Sequence, residues 1–535
     1  MALASSLVFA TLATVTRYAL GGATSSDAVN VFAKSFVGLF VAYKLFETFA
    51  YPAFFSPLRN LPGPKDHHFL LGQALNQFRA DSPNEPYVSW VKKWPDVDFI
   101  RYMSFGNSEA LLVTSLAAHK EVLQLKCYSF VKPPFFRRLL GDIVGFGLVF
   151  SEGDAHKSQR KAFRGMLSLG NLKNFLPVIR SKAEELTDVL DRAIAKDDGV
   201  VELIEVYSRL TLDIVGIFGL GVDLQNLSTE HSIFHDCYHQ IFDPPPIGLA
   251  VTAINAFVPI RWLPIKPNRD FLNANKVVHT ILGDYVKQRI EDVRSAREQR
   301  RPEEADKSKD LLTYMVEEKY FATDGDVWSE QDMLNQILNF VAGGHETSAS
   351  LLVWATYVLS TYPEVERRLV AEIAQLLKRN PRPDYAEIEG LRYLNNFMRE
   401  LLRVHCPAIT LPREAIEDVV IQGTLIPKGT TLIMLPAAVH RNPSIWGPDA
   451  DEFDPDRWDK LSAETTDIYA FAAFSHGPRI CSGRAFTMLE FKAIMVELVS
   501  KFRFERIDKS DIQLINPSVL LRPRGGLRMK VVRRE

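Results

Sequence analysis

The chain is expected to be mainly α-helical with small β-sheets, an α+β body in one large domain behind an apolar N-terminal segment. Three observations carry that expectation. Long stretches place apolar residues three and four apart, Arg180–Lys196 and Asn273–Arg294 among them, which is the period of amphipathic helices. Strand-like runs are short: Asp98–Tyr102, Ala110–Thr114, Val419–Ile421 and Thr431–Met434. No Gly/Ser-rich or Pro-rich linker, internal repeat or low-complexity tract divides the 535 residues. With 47% apolar and 24% charged residues, the composition is that of a folded globular protein. A formal net charge of −2 lacks the basic excess of a nucleic-acid binder, so DNA and RNA are not expected partners.

At the N-terminus, residues 2–15 (ALASSLVFATLATV) are apolar, and a second apolar stretch runs from Val29 to Phe55, interrupted by Lys34, Lys44 and Glu47. Neither is an unbroken run of the ~20 apolar residues that span a bilayer. Residues 1–15 carry no Lys or Arg, which favours an anchor over a cleaved signal peptide. A buried N-terminal helix is the alternative for residues 29–55. Leu61-Pro62-Gly63-Pro64-Lys65 stops any helix and has the character of a hinge. Residues 1–58 are therefore expected to be a membrane anchor with its hinge, and 59–535 the body. The charged stretch Arg297–Lys309 is expected to be a solvated loop.

Four cysteines, Cys127, Cys237, Cys406 and Cys481, are scattered with no CxxC pair, so no disulfide framework is implied. Cys481 differs from the others by its surroundings, Phe474-Ser-His-Gly-Pro-Arg-Ile-Cys-Ser-Gly483, of the form FxxGxRxCxG. Five fixed residues match by chance in such a chain with odds of roughly one in ten thousand. The residue types suit a thiolate ligand to haem iron, which pushes electron density onto the metal. Gly477 and Gly483 allow backbone amides to approach the sulfur. The helix that begins after Gly483 turns its positive end towards Cys481, and Arg479 offers a fork to an anionic propionate.

A second motif lies in a long apolar helix that Ser329-Glu-Gln-Asp332 starts as a capping box. Its middle is Gly343-Gly344-His345-Glu346-Thr347-Ser348, and two glycines inside a helix cost about 1 kcal/mol each. Either a neighbouring helix packs closely there, or the glycines leave room for a flat cofactor over a locally opened turn. Glu346 and Thr347 form an acid–alcohol pair suited to relaying protons and hydrogen-bonding dioxygen. A third motif, Glu400-Leu-Leu-Arg403, places two partners on one helix face before Cys406-Pro407 ends the helix. Pro455-Asp-Arg457-Trp458 follows some fifty residues on.

In this order and spacing the motifs resemble the cytochrome P-450 family over roughly residues 60–535, with the overall look of microsomal members from filamentous fungi. The resemblance implies a haem domain containing haem b, with Cys481 as the axial iron ligand. It assigns Glu346 and Thr347 to oxygen activation. Gly343, Phe474, Arg479, Gly483, Arg413 (in Leu411-Pro412-Arg413) and Arg160 would lie at the cofactor, and Glu400, Arg403 and Arg457 would form a structural cluster. One departure stands out: where the family often has Trp-x-x-x-Arg, this chain has His156-Lys-Ser-Gln-Arg160. Both ring types donate an N–H, so a propionate role for His156 survives.

The segments that line the substrate site by analogy, Phe130–Val149, Asp243–Pro267, Ala342–Thr347, Ala408–Leu411 and Pro517–Leu521, are apolar and imply a lipophilic small-molecule substrate. Pro244–Leu263 is either ordinary core or a segment that dips into a membrane. No GxGxxG fingerprint is present, so electrons are expected from a separate NADPH-dependent flavoprotein reductase, with cytochrome b5 as a second donor. Lys157, Arg160, Lys161 and Arg164 would form its basic docking face. The expected setting is the endoplasmic reticulum membrane with the catalytic domain cytosolic. The expected activity is monooxygenation in secondary-metabolite biosynthesis. The alternatives are fatty-acid or xenobiotic hydroxylation, a rearranging isomerase or ring-expanding enzyme on the same fold, and a non-catalytic haem sensor.

Overall fold

The computed structural model describes residues 7, 10–12, 14–16, 25–196, 198–229, 232–298, 310–321 and 328–535. Most of residues 2–15 and of the charged stretch 297–309 lie outside them. The helices that matter here are α1 (Ser25–Leu45), α2 (Gly153–Ala162), α3 (Leu176–Lys196), α4 (Leu203–Leu220), α5 (Ile233–Phe242), α6 (Pro246–Phe257), α7 (Lys266–Glu298), α8 (Glu330–Thr361), α9 (Pro363–Arg379), α10 (Arg392–Val404) and α11 (Arg484–Lys501). The strands are β1 (Phe99–Met103), β2 (Glu109–Val113), β3 (Phe130–Val131), β4 (Val200–Glu202), β5 (Leu411–Ala415), β6 (Val419–Ile421), β7 (Thr424–Ile426), β8 (Thr431–Met434), β9 (Phe502–Arg506) and β10 (Arg528–Arg533). The protein is mainly helical with small sheets, as its periodicity predicts.

The largest sheet has the order β1-β2-β8-β5-β3, in which only β2 and β8 run parallel. Its register sets Arg413 opposite Leu432, so Arg413 enters the interior from a fixed backbone position. A second sheet, β4-β10-β9, joins the C-terminus to the start of α4, and β6-β7 is a hairpin. The main core forms where α8 runs through the body against α4, α7, α10 and α11, with α3 packed on α11 and α4. The capping box that starts α8 is present: Ser329 Oγ accepts from the Asp332 amide at 3.0 Å, and Asp332 accepts from the Ser329 amide at 3.0 Å.

The N-terminal apolar stretch is not a buried helix. α1 continues as a π-helical segment, Phe46–Phe55, and the 29 residues from Asp27 to Phe55 are long and apolar enough to cross a membrane while packing almost nothing inside the protein. The expected hinge is held in place. The Arg101 amide donates to Pro62 O at 2.8 Å, and a side chain at Gly63 would collide with the Arg101 carbonyl, so the turn is seated on β1. Asn107 donates to Thr48 O, and Arg101 to Pro52 O at 2.7 Å, fastening the end of the apolar helix to the same edge of the sheet.

Candidate active site

The cysteine loop is closed by one backbone hydrogen bond, from the Cys481 amide to Phe474 O at 2.9 Å. Gly477 sits at φ +71°, and a Cβ there would lie 2.0 Å from Leu123 O, so only glycine permits this approach. Gly483 has an ordinary φ of −80° and caps α11. Its value is proximity, since a Cβ built on it would lie 3.9 Å from Cys481 Sγ. Cys481 is exposed, unlike the buried Cys127 and Cys406, although protein surrounds its sulfur. Burial pushes its pKa up, while the Gly483 amide, the Arg160 charge, and the Arg484 amide and guanidinium favour the thiolate.

Around this loop lies a cluster of buried basic side chains facing one carboxylate. Lys132, His156, Arg413 and Arg479 are all largely enclosed, and Glu152 is their anion. Arg479 pairs with Glu152 and donates to Ser151 O at 3.0 Å, leaving its Nε without a partner among the described residues. Burial, followed by Arg413 and Arg479, pushes Lys132 down to about 7, and burial takes Arg413 to about 10. Four cationic or N–H-bearing side chains facing one carboxylate suit the arrival of further negative charge, so the residues fit the two propionates of haem b. His156 is held down to about 4 by burial and then by Arg479, Lys132 and Arg160, so it is neutral at pH 7. Its Nδ1 lies 3.2 Å from the Tyr128 hydroxyl; with that hydroxyl donating, Nε2–H is left to donate.

On the other side, α8 resolves its two glycines by position. A Cβ at Gly344 would meet Val215 Cγ2 of α4 at 2.8 Å, so this glycine serves close helix packing. A Cβ at Gly343 would meet nothing within 4 Å, and this residue is exposed in the middle of an otherwise buried helix. The expected local opening of the turn is absent: α8 stays α-helical throughout, and Thr347 Oγ1 donates back to Gly343 O at 2.5 Å. The space comes from the missing side chain alone. Gly343→Ala is therefore expected to stabilise the protein by about 1 kcal/mol through helix propensity. Gly344→Ala should lose about 1–3 kcal/mol to overpacking against Val215. Urea midpoints of the two variants check this, and the reverse order would refute the division of roles.

Glu400 and Arg403 are wholly buried and paired through two contacts, Nε–Oε2 at 2.8 Å and Nη2–Oε1 at 2.7 Å. Arg457 Nε stands 3.5 Å from Glu400, and Trp458 Nε1 and the Asp454 amide also donate to this carboxylate. The three motif residues do meet. α11 is tied to α8 by Ser348 Oγ, which donates to Glu490 at 2.6 Å one residue beyond Thr347. Reading the motifs missed Lys132, Glu152, Tyr128 and Arg522. The only signal for Lys132 was its place between Phe130-Val131 and Pro133-Pro134, and the apolar run considered at the C-terminus stopped one residue short of Arg522.

Two cavities lie among the described residues. One, of about 480 Å³, lies between α2 and the cysteine loop and is lined by Lys157, Arg160, Lys161 and Arg164. The other, of about 620 Å³ and mostly apolar, lies between α6, Phe78, Phe105 and the segment Ile515–Gly525.

Residues 62–531 match the family model of cytochrome P450. Among curated relatives, cytochrome P450 monooxygenase sphH of Aspergillus fumigatus is 30% identical over 94% of this chain and 93% of its own. Cytochrome P450 monooxygenase FUM15 of Gibberella moniliformis is 29% identical over 93% and 92%, and cytochrome P450 monooxygenase ALT8 of Alternaria alternata 27% over 85% and 86%. Members of this family take electrons from redox partners and act on small molecules. The chain belongs to the cytochrome P450 family and is a haem-thiolate monooxygenase whose cofactor is haem b.

Proposed function

We propose that this protein is a membrane-anchored monooxygenase of the endoplasmic reticulum that inserts one oxygen atom of O2 into a lipophilic small molecule of secondary metabolism. Residues 1–58 form the anchor and 59–535 the cytosolic catalytic domain. One observation carries the reading: the apolar helix ends on the Phe105–Asn107 turn, and Phe105 lines the apolar cavity of about 620 Å³. Phe105 packs against Phe257 of α6 with ring centroids 4.9 Å apart. On and after α6, Ile247 and Trp262 are 71% and 76% exposed. Anchor, cavity and exposed apolar residues thus adjoin, which suits a substrate that arrives from lipid. The relatives' origin in filamentous fungi supports a place in secondary metabolism.

Haem b supplies, when bound, the activation of dioxygen at the cost of two electrons. The chain's residues do the rest. Cys481 would ligate the iron as thiolate, with Gly483 and the start of α11 stabilising its charge. His156, Arg160, Arg413 and Arg479, joined by Lys132, would hold the propionates. Gly343 keeps the oxygen side open, Thr347 presents its hydroxyl there, and Glu346 passes protons to it. Phe474 closes the cysteine loop, and Glu400, Arg403 and Arg457 brace it. Lys157, Arg160, Lys161 and Arg164 offer a basic face to an NADPH-dependent flavoprotein reductase, with cytochrome b5 as a second donor.

Membranes from cells expressing the full chain test the reading. Reduced under carbon monoxide, they should show the red-shifted thiolate Soret band, and Cys481→Ala should lose it. The full chain should resist alkaline carbonate extraction. Release into the wash would remove the anchor, and a wild type without the band would remove the haem-thiolate site.

A further inference from the structure

Glu346 does not open towards solvent. It is 3% exposed, and its carboxylate faces Arg522 and His345. Arg522, carried by the C-terminal segment, forms an ion pair with Oε2, and that oxygen has no other partner among the described residues. On α8 itself, His345 Nε2 stands 3.5 Å from Oε1 and 2.7 Å from the Ser208 hydroxyl of α4. Burial, and then Arg522, holds His345 well below its ordinary pKa, so the ring brings no charge of its own. From α5, His235 and His239 also bear on His345. Burial lowers Arg522 to about 10, with Asp243 and Glu202 offsetting part of that, so at neutral pH it remains the cation facing Glu346.

The position of Arg522 is fixed through its backbone. The Leu521 amide donates to Pro407 O at 2.9 Å, and Leu521 O accepts from Ser350 Oγ at 2.8 Å and Trp354 Nε1 at 2.9 Å, both on α8. Arg522 O accepts from the Ile515 amide at 3.0 Å. Ile515, Asn516, Pro517, Arg524 and Gly525, on either side of it, line the apolar cavity. One segment therefore touches both the place where a lipophilic substrate would lie and the acid beside Thr347.

The geometry points to Arg522 as a positioning residue that keeps Glu346 ionised and sets its direction, and so paces proton delivery to Thr347. The inference rests on the reading of Glu346 as the proton-relaying acid. A buried carboxylate facing one guanidinium and an uncharged imidazole keeps its charge only while the guanidinium is present. Lysine retains the charge without the fork, so Arg522→Lys should restore the ionisation of Glu346 and only part of its orientation.

The test uses the full-length haem-loaded enzyme and the infrared carboxylic-acid C=O band during a pH titration, assigned to Glu346 by its loss in Glu346→Gln. Arg522→Gln should raise the titration of that band by about 1–3 pH units, and Arg522→Lys should return it to within about half a unit of wild type. An unmoved band in Arg522→Gln overturns the inference. If Arg522→Gln does not fold, Arg522→Lys still decides, because a band in that variant displaced as far as loss of all charge would predict also overturns it. A separate measurement addresses the relay itself: with reductase and NADPH, Glu346→Gln should change the fraction of electrons recovered as hydrogen peroxide. If that fraction is unchanged, the relay fails and pacing fails with it, while the infrared titration still reports whether Arg522 sets the charge of Glu346.

Discussion

Arg403→Ala is expected to destabilise the protein by about 3–5 kcal/mol, the usual penalty for breaking a fully buried ion pair from one side. The wild-type guanidinium uses its whole fork: Nε and Nη2 hold Glu400, Nη1 donates to His440 O at 2.9 Å and to Ala450 O, and Nη2 donates to Glu452 O at 2.6 Å. Truncation strands the Glu400 carboxylate in the core and orphans three carbonyls at once. The damage should travel towards the cysteine loop along a defined chain. His440 Nδ1 lies 3.0 Å from Arg403 O, and its Nε2 accepts from the Ala472 amide at 2.9 Å, two residues before Phe474. That arrangement requires a neutral ring, and burial, followed by Arg403, pushes His440 down to about 3. Arg403→Lys keeps the charge and loses the fork, so it should recover less than half of the loss. Urea unfolding of the three proteins, with haem content measured alongside, decides the matter; an alanine variant within 1 kcal/mol of wild type would show that the cluster is dispensable.

Features written in short stretches of sequence were legible, and features made by distant contacts were not. The cysteine loop, the capping box of α8 and the Glu400–Arg403 pair each lie within a dozen residues, where spacing alone dictates which side chains meet. The two glycines of α8 were legible only as a choice, because the answer depends on Val215, more than a hundred residues away in α4. Arg522 lies far along the chain from Glu346, and nothing in the local pattern of Leu521-Arg522-Pro523 announces a buried ion pair. The contact that seats the turn at Leu61–Lys65 was illegible for the same reason. Proline and glycine stop the helix as predicted, but the backbone they leave free is taken up by Arg101 of β1. His156, standing where the resembled family often has Trp, is buried. The departure is intelligible once Tyr128 is seen to occupy Nδ1.

Glu490→Gln is expected to make the protein more stable at alkaline pH and to leave it little changed in acid. Glu490 is almost wholly buried on α11; Ser348 Oγ donates to one of its oxygens, and the other has no partner among the described residues. No cation among the described residues offsets the loss of hydration, and burial raises its pKa from 4.5 to about 8. Between those two values the folded chain keeps a proton that the unfolded chain has released, so stability falls as pH rises from about 4.5 and the loss is complete above about 8. At 1.36 kcal/mol per unit the ceiling on that loss is on the order of 5 kcal/mol, and relaxation around an ionised carboxylate lowers it. Glutamine offers the same acceptor to Ser348 and cannot ionise, so the slope should disappear from the variant while the Ser348 bond remains. Urea midpoints at pH 5 and pH 9 give the comparison: the two proteins should be close at the lower pH and separated by at least about 2 kcal/mol at the higher. Parallel curves across the range would mean that Glu490 is ionised or hydrated in the folded state. Although Ser348 adjoins Thr347 and α11 begins three residues after Cys481, the thiolate band should be unaltered in the variant, which separates an effect on proton linkage from damage to the haem site.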